Sequence, residues 1–121
     1  MDKQLTGLKI MIVEDESLIA MDLEDELADC GATIVGSYRG LAEALPAAKS
    51  STIDFAILDV NLGSETSYAI AEVLRGREVP FVFASGYDKS GLQPEWQDTP
   101  IARKPFNRAI LLQLIGKQLG I

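Results

Sequence analysis

One feature of this chain constrains its fold more than any other: short apolar runs of strand length alternate with longer amphipathic segments. A strand, a helix and a second strand pack compactly as a unit with parallel strands, so repeated alternation predicts an α/β fold with a parallel sheet. Lys9 to Glu14 (KIMIVE), Thr33 to Ser37 (TIVGS), Phe55 to Leu58 (FAIL), Pro80 to Ala84 (PFVFA) and a brief run from Ile101 to Lys104 and Pro105 supply five strands. Their apolar, β-branched character is that of strands buried on both faces. Pro80 stands at a strand's first position, where its missing N–H matters least.

The intervening segments read as helices. Ser17 is the expected cap of the first, in which Leu18, Ile19, Leu23, Leu27 and Cys30 fall at helical spacing and Gly31 supplies the left-handed terminator. Leu41 to Lys49 forms a short Ala-rich helix that Pro46 is expected to limit or kink. Ser67 to Arg75 is the third, closed by Gly76, and Asn107 caps a last helix whose face is Ile110, Leu111, Leu114, Ile115 and Leu119. Between Gly86 and Pro100 the pattern weakens to two Gly, two Pro and no sustained 3.6 period, so the helix due there is expected to be short or disordered.

The 121 residues fit a single domain, 1–121, with no room for a second of ordinary size. Composition, 47% hydrophobic and 24% charged, is that of a globular protein. Net charge of −7 argues against direct nucleic-acid binding or capture by an anionic membrane. The absence of His removes a His-based triad and a His-ligated zinc site. Cys30 is the one cysteine, so no internal disulfide forms; as a small apolar residue on the core side of its helix it is expected to be inert. No apolar run approaches the ~18 residues of a membrane span, and the N-terminus lacks a basic start leading into an apolar stretch, so a cytoplasmic location is expected.

Polar residues cluster where the predicted strands stop: Glu14 and Asp15, Asp59, Ser85 and Lys104. Ligands of an open α/β sheet bind outside the carboxyl ends of its strands, so the fold would bring these positions together. An acidic first turn complementing a helix dipole would account for Glu14, Asp15 and Glu16, but not for Asp59 or Lys104. Three converging carboxylates repel one another unless a hard divalent cation sits among them, and Mg2+ suits a site with few protein ligands, with Mn2+ as the alternative ion. A carboxylate beside such an ion can attack phosphorus to form an acyl phosphate. Lys104 and the Ser85 hydroxyl would then serve the added phosphoryl group as donors, with Gly86 offering main-chain N–H.

With these residues assembled, essentially the whole chain resembles the receiver domain of two-component response regulators. The matching residues are Glu14-Asp15-Glu16, Leu58-Asp59-Val60-Asn61-Leu62, Ala84-Ser85-Gly86 and Lys104-Pro105-Phe106. The resemblance implies a doubly wound, flavodoxin-like, five-stranded sheet of order 2-1-3-4-5. It implies Asp59 as phospho-acceptor, Asp15 as direct metal ligand, Glu14 as an acidic partner acting largely through water, and the Asn61 carbonyl as a further ligand. Ser85 becomes the switch hydroxyl and Lys104 the phosphate-binding cation. Lys104-Pro105 resembles a cis-proline turn that aims the ammonium inward.

The sequence also departs from the family pattern. Gly63 and Ser67 stand where Pro and Gly are usual, and Ile101 occupies the usual place of the aromatic switch residue. The run Pro80-Phe81-Val82-Phe83-Ala84-Ser85-Gly86-Tyr87 is similar to an atypical single-domain subgroup marked by Phe-Ala-Thr-Gly-Tyr, many of whose members serve stress signalling. Ser85 replaces its Thr.

The leading expectation is a stand-alone receiver with no output domain, not a metabolic enzyme. It would take a phosphoryl group onto Asp59 from a histidine kinase or histidine phosphotransfer protein and assist its own phosphorylation and dephosphorylation. Its output would pass to a downstream protein by binding, through segment 86–100 and the face of the fourth and fifth strands and last helix, or through phosphate flow. Tyr87 and Asn61 are expected to tune water access to the phosphoryl group. The alternative is a Mg-dependent phosphatase with an Asp nucleophile, disfavoured because Asn61 stands where that class carries a second acid. A flavodoxin-like cofactor carrier is disfavoured because no Ser/Thr/Gly-rich phosphate-binding loop follows the first strand of this chain. Trp96 is expected to fold back over apolar surface.

Overall fold

The computed structural model describes residues 4–86, 91–104 and 107–120. Its elements in chain order are β1 (Lys9–Val13), α1 (Ser17–Asp29), β2 (Thr33–Tyr38), α2 (Leu41–Ser50), β3 (Phe55–Asp59), β4 (Asn61–Leu62), β5 (Glu65–Thr66), α3 (Tyr68–Gly76), β6 (Phe81–Ser85), β7 (Ile101–Arg103) and α4 (Arg108–Leu119). Five strands form one parallel sheet in the order β2-β1-β3-β6-β7, which is the expected 2-1-3-4-5 when β4 and β5 are set aside.

Strand alternation builds two cores. Met11 and Val13, Ala56 and Leu58, and Phe81 and Phe83 face one side, packing with Ala44 and Ala48 of α2 and Ile70, Ala71 and Leu74 of α3. Ile10 and Ile12, Phe55 and Ile57, and Val82 and Ala84 face the other, against Leu23 and Leu27 of α1 and Leu111 and Ile115 of α4. Every residue of β3 and β6 is buried, while edge strand β2 is only half-buried. Among the described residues no helix is long and apolar enough to cross a membrane.

Several local expectations are corrected. Glu16, not Ser17, is the N-cap of α1, because the Glu14 carboxylate accepts from the Glu16 N–H (3.1 Å) and keeps residue 16 extended. Gly31 does take the left-handed conformation (φ 98°), and a Cβ there would collide with Thr6, so glycine is required twice over. Gly76 does not close α3; the reversal falls at Glu78 (φ 61°), where the Val79 N–H returns to the Leu74 carbonyl at 2.9 Å. Pro46 sits inside α2 without ending it, six residues in, and the helix runs on to Ser50.

Two expected apolar positions face solvent. Leu18 is 82% exposed and Ile110 43% exposed. The buried stripe of α1 is Ala20, Leu23 and Leu27, and α4 turns Leu111, Leu112, Ile115 and Leu119 to the core. Asn107 caps α4 as expected, its side-chain oxygen accepting from the Ile110 N–H at 2.9 Å.

The fourth crossover has no α-helix among its described residues, and a 3-10 turn spans Pro94–Trp96. Yet residues 91–100 are not poor in anchors. Leu92 and Trp96 are buried, and the Trp96 indole stacks on Tyr68 (6.0 Å) and meets Phe81 and Phe83 edge to face. The Arg75 guanidinium lies 3.9 Å from the indole centroid. The expectation that Trp96 folds back is met, and with Leu92 it anchors residues 91–100 to the core.

Candidate functional site

Register alone begins to assemble the site. Val13 pairs with Leu58, so Glu14, the next residue, emerges beside Asp59. Asp59 pairs with Ala84, which sets Ser85 one step beyond, and Ser85 pairs with Arg103, which precedes Lys104. The Lys104 N–H donates to the Ser85 carbonyl at 2.7 Å, continuing the ladder past the end of β7.

Lys104 Nζ lies 2.7 Å from Glu14 Oε1 and 3.1 Å from Asp59 Oδ2, so one ammonium ties the ends of β1 and β3 to the end of β7. Glu14 and Asp59 are buried and Asp15 is exposed, with one carboxylate oxygen from each within 4.8 Å of the others. Both Glu14 oxygens are engaged, one by Lys104 and one by the Glu16 N–H. Asp15 is therefore the acid turned outward, and Asp59 is the buried one whose charge is least compensated.

The electrostatics express that imbalance. Burial, then the hydrogen bond and negative charge of Glu14, push the Asp59 carboxyl up to about 7, against the opposing pull of Lys104. Burial works against the Lys104 ammonium, but the hydrogen bonds and charges of Glu14 and Asp59 outweigh it and hold the group above the ordinary lysine range. Three clustered carboxylates, two of them paired with one ammonium, match the donor set of a hard divalent cation, which binds oxygen ligands and offsets their repulsion.

The other expected residues are placed less tightly. Ser85 is buried at the end of β6, and Gly86 follows it, exposed. Asn61 is exposed at the start of β4, two residues past Asp59. Ile101 is half-buried, paired with Phe83 and packed against the cluster that contains Tyr68 and Trp96. Tyr87, Pro105 and Phe106 lie outside the described residues.

Sequence reasoning missed the β4–β5 hairpin that follows Asp59. Its two-residue connection is Gly63-Ser64, with Gly63 at φ 75°, a hairpin signal that could have been read. Glu65 of β5 reaches across to accept from the Leu41 N–H at 2.9 Å, capping α2 in place of Gly40. The Ser67 hydroxyl, at the N-cap of α3, is buried without a hydrogen-bond partner among the described residues.

No family model matches the sequence. The chain is similar to SdrG from Sphingomonas melonis Fr1, at 43% identity and a TM-score of 0.76, covering 99% of this chain and 97% of that one. SdrG has also been solved in a BeF3-activated conformation, 42% identical with a TM-score of 0.78 over 93% of this chain and 96% of that one. The phyllosphere-induced regulator PhyR of Methylorubrum extorquens is 35% identical over 115 residues, 92% of this chain but 43% of the relative. The receiver domain of the PhyR response regulator of Erythrobacter litoralis is 27% identical with a TM-score of 0.82, covering 96% and 92%. This chain spans about half the length of the curated relatives it matches.

Proposed function

Because this chain belongs to the receiver domains of response regulators, we propose that it is a signalling switch phosphorylated on Asp59. The observation that carries this reading is the placement of Lys104 Nζ between Glu14 and Asp59, at 2.7 and 3.1 Å, beside the outward-facing Asp15. An ammonium so held lies against the oxygen that would carry the phosphoryl group, and its charge-assisted hydrogen bond can pass from carboxylate to phosphoryl oxygen.

The chemistry proposed is transfer from a phosphorylated imidazole. An Asp59 carboxylate oxygen attacks phosphorus, the P–N bond breaks, and its electron pair returns to the imidazole nitrogen, which is left neutral or takes a proton from solvent. No His occurs among these 121 residues, so the donor imidazole, of a histidine kinase or a phosphotransfer protein, lies outside them. Asp15, Asp59 and the Asn61 carbonyl would hold Mg2+, with Glu14 acting through water. A bound Mg2+ would supply charge neutralisation and orientation of a phosphoryl oxygen. Ser85 and the Gly86 N–H are the proposed remaining donors to the phosphoryl group, and Asn61 and Tyr87 the residues that set its lifetime.

SdrG supports action as a stand-alone receiver, since this chain covers nearly all of it, and its BeF3-activated form supports activation by a tetrahedral phosphoryl-like group. Downstream action is proposed to run through contact with another protein or through onward phosphate transfer, within a stress response. The test is incubation with Mg2+ and acetyl phosphate, followed by intact mass. One labile phosphoryl group on wild type and none on Asp59→Ala is expected; equal labelling of both would overturn the assignment.

A further inference from the structure

The acidic turn that carries Glu14 and Asp15 is braced from the far side by a residue that the site chemistry leaves unused. Arg39 directly follows β2, and the Tyr38 carbonyl accepts from the Glu14 N–H at 3.0 Å, so the two chain segments run side by side where β1 ends. Arg39 Nη1 donates to Ser37 Oγ at 3.0 Å and reaches the Glu14 main-chain carbonyl at 3.5 Å. Its Nη2 lies 3.7 Å from Glu24 Oε2 on α1, and Ser37 Oγ donates to that same oxygen at 2.6 Å. Ser37, Arg39 and Glu24 thus form a closed triangle joining β2 to α1.

The carbonyl reached by Arg39 belongs to the peptide unit between Glu14 and Asp15. On its other side the Glu14 side chain is held by Lys104 and by the Glu16 N–H. We propose that Arg39 is a positioning residue for cation binding: the guanidinium, held in place by Ser37 and Glu24, fixes the Glu14–Asp15 peptide so that the Asp15 carboxylate points toward Asp59. The inference rests on the proposed metal site. Partners that orient a ligand without touching the metal change affinity through geometry, and a planar guanidinium with a rigid fork does this where an ammonium does not.

Charge and geometry predict opposite signs, which makes the role testable. A cation near a Mg2+ site repels the ion, so if Arg39 acted only as a charge, Arg39→Gln would tighten Mg2+ binding, more so at low salt, and Arg39→Lys would match wild type. Positioning predicts weaker binding in both variants, by about three- to tenfold and with little salt dependence, a modest share of the effects seen for outer partners of metal ligands. Mg2+ titrations by calorimetry at two salt concentrations read the affinity. Amide exchange in metal-free protein gives a second readout, with faster exchange expected at Asp15 and Glu16 in both variants and unchanged protection in β3 and β6 confirming an intact fold.

Tighter binding in Arg39→Gln, or wild-type affinity in Arg39→Lys, would overturn the positioning role and leave the metal site standing. Failure of wild type to bind Mg2+ more tightly than Asp15→Asn would overturn the metal site and with it the role of Arg39.

Discussion

Asp59 carries the largest electrostatic cost among the residues described, and the cost has a definite sign. Its carboxyl is pushed up to about 7 by burial and by Glu14, from an ordinary value of 3.8. Between those two values the folded state keeps a proton that the unfolded state has already lost, so folding is favoured at the lower pH. That advantage is lost as pH rises from about 4 to about 7, above which both states have shed the proton and stability levels off. Metal-free wild type is therefore expected to lose stability between pH 5 and 8 relative to Asp59→Asn, by a few kcal/mol on the scale of ~1.4 kcal/mol per pKa unit. Mg2+ should reduce this difference by offsetting the charge. Urea midpoints at both pH values, with EDTA and with Mg2+, measure it; parallel behaviour of the two proteins would contradict the assignment of the strain to Asp59.

At the scale of elements, Trp96 does the work that a helix does in the other crossovers. Its indole is packed against Tyr68, Phe81 and Phe83 and lies under the Arg75 guanidinium, tying residues 91–100 to α3 and β6. Trp96→Ala is expected to destabilise the fold by about 3–5 kcal/mol, as large-to-small changes in cores do. Chemical denaturation checks this, and a loss below about 1 kcal/mol would show that the segment is anchored elsewhere.

The buried strands were legible in sequence because their apolar runs have no other stable fate than a two-faced core. The weak fourth crossover was legible from its Gly and Pro. That Trp96 folds back follows from its apolar bulk, but its aromatic partners come from α3 and β6, and no local pattern brings them together. The exposure of Leu18 and Ile110 is not legible in the sequence for a related reason. Spacing gives the period of a helix, whereas the sheet beneath it decides which residues of that period are covered. Gly63-Ser64 signals the hairpin after Asp59, whereas the Glu65 cap on α2 joins residues 24 positions apart and has no local signal.

Taken as a whole molecule, the domain places its candidate site at one end of the sheet and its stability in the two cores beneath. Glu14, Asp59, Ser85 and Lys104 come from four strands whose order follows from topology, which is why residues 45 positions apart meet at 3.1 Å. The acidic balance of the chain has a local counterpart there, in three clustered carboxylates of which two share one ammonium. The chemical identity of the phosphorylated residue tests the central claim most directly. Phosphorylated protein should be treated with borohydride, which reduces an aspartyl phosphate to homoserine, and digested for peptide mass analysis. The account predicts homoserine at position 59 and reduction at no other acid; homoserine at Asp15, or 2-amino-5-hydroxypentanoic acid at Glu14, with position 59 untouched would contradict it.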